Sequence, residues 1–376
     1  MFTDATVQRL WDAGRILAAY EASREPVPVS PEHPFRDQHL LVAEAQQWHE
    51  HGVLCWYNAR DAQARAALDR AHEMRRKLLG PEHPDTLDTQ ERIAAATPSI
   101  EAFETVIGRL IAVLGEPHLR VAIARRNLAA ALRDAGKPEA ARSTLQLAAP
   151  VIESALPAGH PDVVALLKVD ALLCVIEKNF EGAIERASRA IEIGQGLWNE
   201  SHPFIASAEL TIVNAEYALA KYKRARQRLP SICWRLEVGF GEHPILALAL
   251  WRGAGIALAG RYGLQEAELD LRRAIEIFRA AGHPATGVEV SLFENLFYSG
   301  RTIEAGEYAE SIFDSAARAA KYVIATRLER AFRRAAWKDQ AQVWAQRAFD
   351  ASLDDETRAE WAERVAGAGN GDTGDT

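Results

Sequence analysis

Apolar residues along this chain recur three and four positions apart, in blocks of about fifteen residues divided by short polar breaks. Ala141, Leu145, Ala148 and Ile152 form one such stripe, and Ala183, Ala187 and Ala190 another. This period predicts amphipathic α-helices along most of the chain. The breaks recur too: Gly136-Lys137-Pro138-Glu139-Ala140-Ala141, Lys178-Asn179-Phe180-Glu181-Gly182-Ala183 and Ala220-Lys221-Tyr222-Lys223-Arg224-Ala225 align, with Gly260 to Ala267 and Gly300 to Ala305 following. Each break closes on a small residue, as two closely crossing helices require. The predicted unit is therefore a helical hairpin.

A second marker runs in phase with the first. His33-Pro34, His83-Pro84, His160-Pro161, His202-Pro203, His243-Pro244 and His283-Pro284, with His118 after Pro117, each precede a periodic block. Between His118, His160 and His202 the interval is 42 residues. Proline suits the first turn of a helix, and glycine the residue past its end. A unit copied at that period predicts an all-α fold, a solenoid of helical hairpins whose neighbours bury one another's faces.

One array is expected: an N-terminal capping helix and linker over residues 1–32, then repeats over 33–318 with rungs starting near His33, His83, His118, His160, His202 and His243 and a seventh near His283. A degenerate repeat and C-terminal capping helix follow over 319–366, with helical segments Ala319 to Arg334, Gln340 to Phe349 and Glu356 to Val365. The glycine-rich, polar 367–376 reads as a disordered tail. The first helix of the first rung is predicted from about Arg36 to Tyr57, and Pro98 interrupts the second rung before Ile100.

Composition narrows the function. A formal net charge of −8 argues against a nucleic-acid partner, which demands a basic face, although it leaves room for a local basic groove. Cys55, Cys174 and Cys233 are odd in number and irregularly spaced, so no disulfide framework is expected. The opening MFTDATVQRLWDAGRILAAY lacks the features of a signal peptide, and the longest apolar run, near Ile245 to Trp251, is too short to span a bilayer. A cytoplasmic protein with no membrane partner is expected.

The stretches LLGPEHPDTL (Leu78 to Leu87) and VAIARRNLAAALRDAGKPEAA (Val121 to Ala141) resemble the tetratricopeptide repeat, in the long form of about 42 residues found in kinesin light chains and in arrays attached to bacterial signalling ATPases. The resemblance covers roughly residues 33 to 318. It implies a right-handed superhelix whose first helices line a groove that holds a peptide or partner protein. No GxxxxGK[ST] phosphate loop is present, so the chain is expected to be a free-standing array.

Catalytic and metal-binding patterns are sparse, and the chain is expected to be neither an enzyme nor a cofactor or metal carrier. The histidine ladder is too widely spaced to converge on one ion, and it is expected to serve the helix entrances. His51 and Cys55 lie four apart on one helical face while His49 points elsewhere, which gives two ligands and no third. There is no Gly-x-Ser-x-Gly elbow and no HExxH helix, and carboxylates such as Glu181 and Glu185 alternate with Arg186 and Arg189 as on solvated faces. Counting back from the closing alanines places Arg126, Asn127, Arg133, Lys168, Asn214, Tyr217, Trp251 and Arg252 in the groove. Asn127 matches the asparagine of the family's Asn-Leu-Ala motif. The cations favour an acidic or carboxylate-bearing protein or peptide segment.

The same alignment sets Asp170, Glu209 and Glu216 at core positions, where bare carboxylates are costly. Either the helical phase slips by one residue there, or these acids meet basic partners across the rung boundary. The expected function is that of a binding scaffold or adaptor. The alternative is a regulatory sensor that controls a separately encoded effector.

Overall fold

The computed structural model describes residues 2–23, 38–97, 99–200 and 202–367. His33-Pro34, the predicted start at Arg36, Pro98 and residues 368–376 lie outside them. Nineteen α-helices and no strand occur among the described residues: α1 (Ala5–Asp12), α2 (Ile16–Ala22), α3 (Gln38–Tyr57), α4 (Asp61–Leu78), α5 (Pro84–Ala96), α6 (Ile100–Leu114), α7 (Leu119–Asp134), α8 (Pro138–Ala155), α9 (Pro161–Ile176), α10 (Phe180–Leu197), α11 (Pro203–Ala218), α12 (Tyr222–Phe240), α13 (Pro244–Gly260), α14 (Leu264–Ala280), α15 (Thr286–Tyr298), α16 (Thr302–Ser315), α17 (Arg318–Arg334), α18 (Lys338–Ala351) and α19 (Asp355–Gly367). The helices form two compact units, Met1–Ala249 and Leu250–Thr376, where the sequence predicts one array. The N-terminal segment holds two short helices rather than one.

In Met1–Ala249, α3 packs on α4, α7 on α8, α9 on α10 and α11 on α12, and the first helices α3, α5, α7, α9 and α11 also touch in series, so they form one layer. The closing alanines Ala141, Ala183 and Ala225 are fully buried where the paired helices cross. In Leu250–Thr376, α15 packs on α16 and α17 on α18, with α19 against α18; Ala305 is buried in the same role.

Five ladder histidines share one task. The Nδ1 atoms of His83, His118, His160, His202 and His243 accept the backbone N–H two residues on, at 3.1 to 3.2 Å. Nδ1 is as many bonds from Cα as the side-chain oxygen of asparagine, so the imidazole reaches the same orphan donor that an Asn N-cap satisfies. A proline at the next position, as at Pro84, Pro161 and Pro203, has no N–H to leave unpaired. His283 departs from the pattern. Helix α15 starts only at Thr286 with Ala285 as its cap, so the seventh mark opens no helix directly.

The breaks need a residue in the left-handed region. Glycine supplies it at Gly136, with φ of 71°, but Lys178 and Ala220 take φ of 61° and 56° at the equivalent place. Each of those two costs about 1 kcal/mol relative to glycine, which the packing of the hairpins offsets.

The three acids at core positions face arginines. Asp170 on α9 is bonded by Arg142 of α8 and Arg186 of α10, Glu209 by Arg235, and Glu216, only 4% exposed, by Arg228 at 3.3 Å. All three acids meet basic partners, but the second sequence alternative, pairing across the rung boundary, holds only for Asp170. The partners of Glu209 and Glu216 lie on α12 of the same hairpin, and only Asp170 also reaches across a rung boundary.

Candidate functional site

The layer of first helices in Met1–Ala249 carries a continuous polar network. Arg75, reaching in from α4, donates to the carbonyl of Asp85 at 2.8 Å and to the Thr89 hydroxyl at 2.7 Å. His49 of α3 lies 3.4 Å from Asp88 of α5, and burial holds its pKa down at about 4 against the pull of Asp88. Glu91, buried and with its carboxyl pushed up by desolvation, accepts from Asn127 Nδ2 at 2.6 Å. The Asn127 carbonyl in turn accepts from Arg126, which also pairs with Asp162 of α9 at 2.7 Å. A cavity of about 160 Å³ opens between Asp88, Glu91, Arg92, Arg120, Ile123 and Asp162.

Next to this network the layer becomes aromatic. Tyr57 at the end of α3 meets Phe204 at the start of α11, ring centroids 5.4 Å apart. Trp11 of α1 wedges against both, at 4.8 and 5.5 Å. Trp198 stacks on His202 at 4.6 Å, and His202 is wholly buried with its pKa depressed to about 3, by desolvation first and by Lys168 second. The α1–α2 segment is held down further by Glu50, which accepts from the Thr3 N–H and hydroxyl at 2.9 and 2.8 Å. Gly14 and Gly239 permit this seating, since a Cβ on Gly14 would come within 2.7 Å of His202 Cα, and one on Gly239 within 2.8 Å of the Gly14 carbonyl.

Lys168 stands out among the cations of this layer. Its ammonium lies 4.7 Å from the centroid of Phe204, and no carboxylate among the described residues pairs with it. Desolvation, reinforced by the charge of Arg133, lowers its pKa to about 8.

The other residues placed in the groove from sequence fall into different settings. Arg126 is 5% exposed and engaged with Asp162 and Asn127, and Asn127 is engaged with Glu91, so both already serve the internal network. Arg133 pairs with the adjacent Asp134 at 2.8 Å. Asn214 and Tyr217 are half-buried on α11, with Tyr217 against Tyr222. Trp251 and Arg252 belong to Leu250–Thr376. There the Trp251 indole donates to the Ser291 hydroxyl at 2.8 Å and lies over Gly287, whose bare Cα makes the room.

Asp88, Glu91, Arg92, Arg120, Asp162, Phe204 and Trp11 escaped the sequence reading. The charges alternate at helical spacing like a solvated face, and only the stacking of three first helices turns them inward. His51 Nε2 lies 3.5 Å from Cys55 Sγ while its Nδ1 meets the Ser23 hydroxyl at 2.9 Å; His49 points away, to Asp88. No helix among the described residues is long and apolar enough to cross a membrane.

A family model for the tetratricopeptide repeat matches residues 52–85 and 121–162. Among solved structures, the chain is similar to a Rap protein complexed with Competence and Sporulation Factor, at 14% identity and a TM-score of 0.57, covering 88% of this chain and 98% of that one. It is also similar to the apo form of RapI, at 13% identity and a TM-score of 0.53, covering 88% and 97%. The TPR-like repeats of a Podosopora anserina putative kinesin light chain match at 19% identity and a TM-score of 0.39, over 52% and 96%. No curated protein matches the chain.

Proposed function

We propose that this chain, which carries tetratricopeptide repeats at residues 52–85 and 121–162 in an all-helical array, is a non-catalytic scaffold that captures a protein or peptide segment on the first-helix layer of Met1–Ala249, with a ligand carboxylate seated at Lys168. The observation that carries this reading is the lone ammonium of Lys168, set over an aromatic ring beside Arg133 with no acid opposite it. An uncompensated charge in a desolvated setting is expensive, and an incoming carboxylate relieves that cost. A Rap protein of the same fold has been solved with Competence and Sporulation Factor bound, which supports a ligand-holding use of this architecture.

The test is a peptide array that compares acidic segments with their amide-substituted counterparts. Lys168→Met is expected to weaken capture of the acidic set by about tenfold to a hundredfold, the worth of one charge-assisted contact, and Lys168→Arg to retain most of it. Because the amine loses its proton as pH rises through about 8, affinity for a carboxylate should fall between pH 7 and 9 in the parent and stay level in Lys168→Arg. Equal binding of acidic and neutral segments would refute the reading.

A further inference from the structure

Two exposed helix stripes in Leu250–Thr376 are written in the same spacing with opposite sign. On α16, Ile303, Glu307, Glu310 and Asp314 follow one another at intervals of four, three and four, and share one face. On α17, Val323, Arg327, Arg330 and Arg334 repeat those intervals. All eight side chains are exposed, with Ile303 at 80% and Val323 at 43%, so the stripes do not satisfy each other within one chain. Arg327, Arg330 and Arg334 make no hydrogen bond or ion pair among the described residues, and the acid nearest in influence, Glu294 of α15, is itself shifted upward by burial. Of the acids, Glu310 is tied to Arg347 at 2.8 Å and remains half exposed.

We propose that the α16 stripe of one copy docks on the α17 stripe of a second copy of this chain. Both stripes ride on helices of equal rise, so a register set at one end persists over the roughly 16 Å between first and last members. Laid parallel, Ile303 meets Val323, and Glu307, Glu310 and Asp314 meet Arg327, Arg330 and Arg334 in turn. Laid antiparallel, Ile303 faces Arg334 and Val323 faces Asp314, so the apolar ends select the parallel arrangement. An extended acidic peptide repeats every two residues at about 6.8 Å and drifts out of step with the arginines, which favours a helical occupant of the α17 face. The two stripes differ, so the contact is heterologous and the pair keeps one stripe of each kind available for a further copy.

The experiment is sedimentation equilibrium of the full chain over a concentration series at low and high salt. The parent should associate reversibly at low salt and dissociate as salt is added. One variant carries Arg327→Glu and Arg334→Glu, and another Glu307→Arg and Asp314→Arg, so that the same two pairs are reversed; circular dichroism checks that each is folded. Each alone should associate roughly thirtyfold more weakly, since two attractive pairs become repulsive. Mixing the two variants should restore association, because each then meets its opposite. A parent that stays monomeric at low salt overturns the proposal, including the case in which its α17 face instead takes an unrelated acidic peptide. Association indifferent to the swaps, or swapped variants that do not pair with each other, overturns it as well.

Discussion

Replacing His202 should flatten the acid sensitivity of Met1–Ala249. In the native chain this ring is neutral, wholly buried, stacked on Trp198 and capping α11 through Nδ1, and its pKa is depressed from 6.5 to about 3. The unfolded chain therefore binds a proton at this residue at a pH where the folded chain does not. Stability contributed by the neutral ring is complete above pH 6.5 and is lost as pH falls toward 3. Between pH 7 and 4 that loss amounts to about 3 kcal/mol, from the roughly 1.4 kcal/mol carried by each unit of pKa difference. This is a large share of the ~5–15 kcal/mol that holds a domain together. His202→Asn keeps an N-cap and removes the titration. The variant should be less stable than the parent at pH 7, because it leaves space beside Trp198, yet its urea midpoint should fall less on acidification. Urea unfolding followed by tryptophan fluorescence at half-unit steps from pH 7 to 4 measures both slopes. Parallel curves for parent and variant would refute the argument; the contribution of His49, whose pKa is held at about 4, stays in both and cancels.

His160→Ala should lower the thermal midpoint by the equivalent of about 1 kcal/mol and His160→Asn should leave it nearly unchanged, because the cap needs only an acceptor at that distance. Asn127→Ala should destabilise the fold by about 1–3 kcal/mol in denaturant titrations, since Glu91 then keeps a buried carboxyl without its 2.6 Å donor. Gly287→Ala should lower the melting temperature of the Leu250–Thr376 unit, because a Cβ there would sit 2.6 Å from the Trp251 ring.

The helices were legible because their marks are local. Nδ1 of each ladder histidine acts on a backbone group two residues away, and the stripe Ala141, Leu145, Ala148, Ile152 is buried as its spacing requires. The site was less legible because it is made across helices. Trp251 reads as an exposed aromatic until Gly287 and Ser291, on the next first helix, turn out to receive it. Asp170, Glu209 and Glu216 look misplaced until Arg142, Arg186, Arg235 and Arg228 are brought against them by the packing of neighbouring helices. Lys168 is marked in the sequence by position alone, and its lack of an acid depends on what every surrounding helix presents.

The seating of Trp11 between Tyr57 and Phe204 also bears on how this body comes apart. A linear stack of hairpins communicates only between neighbours, so it can unravel from an end one module at a time. Here helix α1 and the end of α3 are fastened to the α11–α12 hairpin, which turns a row into a loop. Melting of Met1–Ala249 should then be all-or-none, and its folding slower than local helix pairing alone would allow, because the fastening joins residues far apart in the chain.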